Sequence, residues 1–94
     1  MEMASRNLSK VKKLIWDEFY KKHTSFLGTL VYYAHNKYHI DAEKAFLEDL
    51  QLFKKVVTKI YGELGWQLFV EEAFTIAQKL KINISELEEI INTL

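Results

Sequence analysis

The sequence predicts an all-α fold: a compact bundle of four or five amphipathic helices with a helix-turn-helix-like hairpin at its C-terminal end. Three observations carry that expectation. Proline is absent and glycine occurs only at 28, 62 and 65. Good helix formers (Leu, Lys, Glu and Ala) are abundant throughout. Apolar residues recur at three- and four-residue intervals in one segment after another, the spacing that lines one face of a helix.

The first helix is expected from about Ser5 to Lys22. Leu8, Val11, Ile15 and Phe19 form its apolar stripe, which Leu14 widens. His23-Thr24-Ser25 interrupts the pattern, and the hydroxyl of Thr24 or Ser25 can cap the next helix by accepting a backbone N–H bond. If that interruption is only a kink, the first two helices form one rod. The second helix, about 25–38, is apolar on nearly all sides through Phe26, Leu27, Leu30, Val31, Tyr32, Tyr33 and Ala34. Such a helix is expected at the centre of a bundle or at an oligomer interface.

Asp41 is a good N-cap for a third helix, expected to run unbroken to about Tyr61. Its stripe is Phe46, Leu50, Phe53, Val57 and Ile60. Gly62 and Gly65 bracket a turn, with Gly62 as the left-handed residue that ends the helix. The fourth helix, from about Trp66 to Lys81, buries Phe69, Val70, Ala73, Phe74, Ala77 and Leu80. Asn83 or Ser85 starts a fifth helix; Ser85-Glu86-Leu87-Glu88 matches a capping box, and Leu87, Ile90, Ile91 and Leu94 form the apolar side.

The 94 residues suffice for a single helical domain, residues 1–94. A chain of that length buries roughly 60–65% of its unfolded surface, so its core must be dense. Apolar residues make up 49% of the chain and aromatics 14%. Not all the large aromatics fit inside a core this small, so at least two are expected on the surface. Cysteine is absent, which removes disulfides, thiolate metal sites and cysteine catalysis from this chain. The opening MEMASRNLSK holds no apolar run of the secretory kind. The longest apolar window, Phe26 to Ala34, is far shorter than a membrane span. The expected setting is cytoplasmic, or inside a virus, with no membrane contact.

Net charge is zero but unevenly spread. Residues 1–40 carry seven Lys/Arg against three Asp/Glu, and residues 61–94 carry two Lys against six Glu. The two ends are complementary, so they can neutralise one another within the fold or between protomers.

The hairpin of Thr75 to Ile90 has apolar residues where a helix-turn-helix needs them: Ile76 and Ala77, then Leu80 and Ile82, then Leu87 and Ile90. Its second helix would carry Glu86, Glu88 and Glu89 toward DNA, and phosphates repel carboxylates. The hairpin is therefore read as packing scaffold. The better nucleic-acid candidates are Arg6, Lys10 and Lys13 on one stripe, with Lys21 nearby and Lys37 beside stacking rings. His35 and His39 are four residues apart, but neither the paired Glu-x-x-His nor the His-Glu-x-x-His pattern accompanies them, so no metal is expected. There is no phosphate loop and no nucleophile elbow. Asp17-Glu18 and Glu71-Glu72 are adjacent pairs that point in different directions on a helix. Neither an enzyme nor a cofactor is expected.

The preferred expectation is a small regulatory or accessory module that docks an aromatic-rich helical face on a partner protein or on itself, as in a homodimer. Trp16, Tyr20, Tyr32, Tyr33, Tyr38 and Trp66 are the candidates for that face, since large aromatics concentrate at binding hot spots. The alternative is nucleic-acid binding, or a place in a nucleoprotein assembly, through the basic N-terminal helices.

Overall fold

The structure, a computed structural model, describes residues 2–82, with side-chain surroundings over 10–82. Four helices pack round one core: α1 (Glu2–Lys22), α2 (Thr24–Tyr38), α3 (Ala42–Glu48) and α4 (Leu50–Lys79). No strand occurs among the described residues. None of the described helices is long and apolar enough to cross a membrane. The second half of the expected hairpin lies outside the described residues.

In α1, Ile15, Trp16 and Phe19 are buried and Val11 is half-buried. Leu14 does not widen the stripe; it is exposed, and Trp16 takes the place beside Ile15. The chain bends at His23, whose backbone leaves the helical region (φ −128°, ψ 57°). Two hydrogen bonds still cross the bend, from the His23 N–H to Phe19 and from the Leu27 N–H to His23. The expected hydroxyl cap does not form. Thr24 Oγ1 instead donates back to the Tyr20 carbonyl at 2.8 Å, a bond that satisfies the hydroxyl locally. At its other end α2 closes on His39 in the left-handed conformation.

Asp41 caps α3 as expected, its carboxylate accepting the Lys44 N–H at 3.1 Å. The helix it opens is short. Asp49 breaks the single helix expected over Asp41 to Tyr61, and its own carboxylate accepts the Leu52 N–H at 3.2 Å to start α4. A short carboxylate side chain offers the backbone an alternative partner, which favours caps over helix interiors. Phe46 of α3 and Phe53 of α4 are both buried, on either side of the break.

Helix α4 has one non-helical residue, Gly62 (φ 81°, ψ 179°), which divides it into arms 50–61 and 63–79. As expected, Gly62 has positive φ and ends the helical run that starts at Leu50, but no turn reaching to Gly65 follows it. Helical geometry resumes at once, and Gly65 lies buried inside the second arm. This helix, not α2, forms the centre. Phe53 is fully buried and meets Trp16, Phe46, Trp66 and Phe69 with ring centroids 5.0–6.2 Å apart. Only Leu27, Leu30 and Ala34 of α2 are buried. No buried polar or charged side chain interrupts the core among the described residues. Ile76 and Ala77 are buried, and the helix closes with Lys81 at φ 59°.

Candidate functional site

Helix α2 and the second arm of α4 run in opposite directions along one side of the molecule, and the bend at Gly62 sets the end of the first arm beside the C-terminal part of α2. His23 lies by Glu72, Phe26 by Leu68 and Tyr61, and Tyr33 and Tyr38 by Lys59 and Ile60. On α2, Phe26, Thr29, Tyr33 and Lys37 form one stripe, at intervals of three and four residues. The Tyr61 ring stacks on Phe26 at 4.5 Å, and its hydroxyl donates to the Phe26 carbonyl at 2.8 Å. Burial pushes the Tyr61 hydroxyl above its ordinary pKa, with a hydrogen bond to Thr29 acting the other way and the nearby Tyr33 adding to the rise.

This strip carries much apolar surface that the core does not use. Tyr32 is 61% exposed, Tyr33 47%, Leu64 68% and Leu68 53%. Tyr32 and Tyr33 meet edge to face at 5.4 Å. Leu64 and Leu68 lie one turn apart on α4. Each is two residues from Trp66, about 200° round the helix from that core position, so the packing that buries Trp66 and Phe69 leaves them outside. Aromatic position alone did not point to them; this angular offset could have. At the far end, Lys59 Nζ sits 5.3 Å from the Tyr38 ring centre and Lys37 Nζ 5.9 Å from it.

Near Leu68 the strip dips into an open cavity of about 240 Å³, bounded by Phe19, His23, Phe26, Leu68, Phe69 and Glu72. Glu72 Oε1 lies 3.0 Å from Lys22 Nζ and 3.2 Å from His23 Nε2. The His23 approach lacks hydrogen-bond alignment, and its buried Nε2 has no such partner among the described residues. Burial alone would raise the Glu72 carboxyl, but the Lys22 and His23 contacts outweigh it and hold the group below its ordinary pKa. A depressed carboxyl contributes stability above its unfolded-state pKa and loses it as pH falls through the folded value. Glu72→Gln is therefore expected to reduce stability at neutral pH and to flatten the acid limb of the stability curve, measured by urea unfolding at several pH values. An unchanged acid limb would remove Glu72 from the account.

The structure redistributes the aromatics singled out in the sequence. Trp16 and Trp66 are not on a docking face; they are core residues, 3% and 8% exposed. Tyr20 is half-buried beside Trp16, on the other side of α2. Tyr33 and Tyr38 lie on the α2/α4 side with Lys59 and Ile60, Tyr38 half-buried, and Tyr32 stands against Tyr33 on the outer face of α2, away from the buried Leu27, Leu30 and Ala34. The strip also includes Phe26, Tyr61, Leu64 and Leu68, which were not anticipated as a surface.

The basic candidates are not brought together as a free cationic face. Lys13 contacts Glu43 at 2.7 Å and Asp17 at 3.2 Å, and hydrogen bonding to those carboxylates, Glu43 foremost, raises its pKa. Lys10 and Lys21 are exposed, Lys37 lies with Tyr38 on the opposite helix, and the Arg6 side chain lies outside the described residues. Lys12 Nζ donates to the Leu47 carbonyl, and burial lowers its pKa. Lys22 pairs with Glu72 between α1 and α4 in the sense the charge distribution suggests, whereas Glu18 with Lys79 joins the same two helices in the reverse sense. Helix α2 ends between His35 and His39, and no group of three His, Asp or Glu able to hold a metal occurs among the described residues.

No family model, curated protein or solved structure matches the chain. Its own surface is therefore the guide to its function.

Proposed function

We propose that this protein is a small helical interaction module that works by docking the α2/α4 strip onto another protein surface. One observation carries the proposal. Of the five large apolar side chains exposed among the described residues, four, Tyr32, Tyr33, Leu64 and Leu68, stand on the neighbouring helices α2 and α4, Leu14 of α1 being the fifth, while seventeen buried apolar residues form the core. Removing apolar surface from water contributes about 25 cal/mol per Å², so a strip of this kind is held in reserve for association. Tyrosine suits the task because a rigid ring brings large contact area with little entropy loss. Nucleic-acid binding by α1 has less support, because Lys13 and Lys22 already lie against carboxylates.

Photo-crosslinking from a benzophenone side chain at position 33 tests the proposal in cells that express the chain. The expected result is a discrete protein adduct, with a second copy or with another protein. It should disappear in Leu64→Ser/Leu68→Ser and persist in Lys10→Glu/Lys13→Glu. Absence of any adduct, or loss only in the lysine variant, would overturn it.

A further inference from the structure

We propose that the occupant of the α2/α4 strip is a second copy of this chain, paired head to tail about a two-fold axis. The inference rests on the docking reading above and adds the identity of the partner.

The charge at the two ends of the strip carries it. Lys37 and Lys59 crowd the Tyr38 ring at one end. Glu71 stands at the other, on the turn that continues the Leu64–Leu68 row, three residues beyond Leu68. Glu72 is already held by Lys22 and His23. Glu71, Lys37 and Lys59 have no ion-pair partner among the described residues. The strip thus carries two unpaired lysines at one end and one unpaired glutamate at the other, with Tyr33, Tyr61, Leu64 and Leu68 between.

A two-fold interface requires one patch to complement itself: what residue i touches on the partner, the partner touches with its own residue i. Reversing this strip on a copy of itself meets that requirement. The lysine end of each protomer faces the Glu71 end of the other, and the two apolar middles cover each other. The same-direction arrangement would set lysine against lysine and glutamate against glutamate, which electrostatics disfavours. The end of the first arm of α4 sets Lys59 beside the C-terminal end of α2, and the second arm carries Glu71, next to Glu72, toward its N-terminal end, so the polarity follows from the fold.

Sedimentation equilibrium from micromolar to millimolar concentration tests the proposal on the full chain. The wild type is expected to pass from monomer to dimer. Lys59→Glu and Glu71→Lys, each alone, should weaken dimerisation roughly tenfold or more, because each places two like-charge pairs across the interface. Mixing the two single variants should restore association as a heterodimer, since both cross-pairs then have opposite sign. Circular dichroism and urea midpoints, measured dilute enough that every variant is monomeric, should match the wild type, because both residues are exposed and dimerisation adds no stability there. A wild type that stays monomeric throughout, or a mixture no tighter than its components, would overturn the proposal. A strict monomer that still crosslinks to a different protein from position 33 would overturn the second-copy inference alone and leave the docking function standing.

Discussion

Phe53→Ala is expected to lower the unfolding free energy by about 3–5 kcal/mol, the range for removing a large buried aromatic. Phe53 is fully enclosed and is the ring on which the others converge: Trp16 from α1, Phe46 from α3, and Trp66 and Phe69 from the second arm of α4. Deleting it removes one side of four contacts at once and opens a void where three helices meet. Small domains are stable by about 5–15 kcal/mol in total, so the variant should sit near the edge of folding. Phe53→Leu keeps most of the volume and should cost much less. Urea unfolding monitored by tryptophan fluorescence measures both, because Trp16 and Trp66 border the site. A cost for alanine of only about 1 kcal/mol would mean that the core can collapse round the gap, and the convergence on Phe53 would lose its importance.

The second large effect is expected at the bend of α4. Gly62 has φ 81° and ψ 179°, a region essentially closed to residues with a Cβ and costing of order 1–3 kcal/mol when forced. Space is not the obstacle, since a Cβ there would meet nothing within 4 Å. Gly65 fails for the opposite reason. Its backbone is helical, but an added Cβ would collide with the Tyr61 Cβ across the bend. That atom is fixed to the backbone, so the two arms would have to separate. Gly62→Ala and Gly65→Ala should therefore each destabilise by about 1–3 kcal/mol. Gly28→Ala should not: its Cβ would sit in ordinary contact, 3.7 Å from the Tyr20 hydroxyl, and the gain in helix propensity is up to about 1 kcal/mol. Equal effects at all three positions would contradict the two distinct mechanisms.

These two regions also show where the sequence was legible. The α class followed from composition and period, and the Asp41 cap from a rule with a direct electrostatic cause. Phe46, Phe53 and Val57 were legible as core because they recur on one face. The break at Asp49 was missed because Leu47, Leu50 and Leu52 carry the apolar pattern straight through it. The pattern is blind to a cap that lies between two in-phase segments. Gly62 was recognised as a special position, yet periodicity could not say that a second arm would resume immediately after it.

The candidate surface was less legible. Counting aromatics against core volume correctly placed some of them outside, as Tyr32 and Tyr33 are. It could not sort tryptophans from tyrosines, and both tryptophans went inward because their larger apolar area gains more from burial. A helix apolar on nearly all sides, like α2, gives no phase from which to choose its inner face. Only the helices packed against it decide that Leu27, Leu30 and Ala34 turn in while Tyr32 and Tyr33 turn out. Leu64 and Leu68 were hidden by the same ambiguity across Gly62, where the phase of the second arm is reset. Of the opposite charges of the two chain ends, visible in the sequence, Lys22 and Glu72 make a pair of the expected sense, while Glu18 and Lys79 make one of the reverse sense.

The central claim, that the α2/α4 strip is the working surface, is tested most directly by nuclear magnetic resonance of the chain at increasing concentration, or on addition of a crosslinked partner once identified. The shifting signals should cluster at Tyr32, Tyr33, Tyr38, Leu64 and Leu68, while those of Lys10, Lys13 and Lys21 on α1 stay in place. Shifts confined to the α1 lysines, with the strip unmoved, would contradict it.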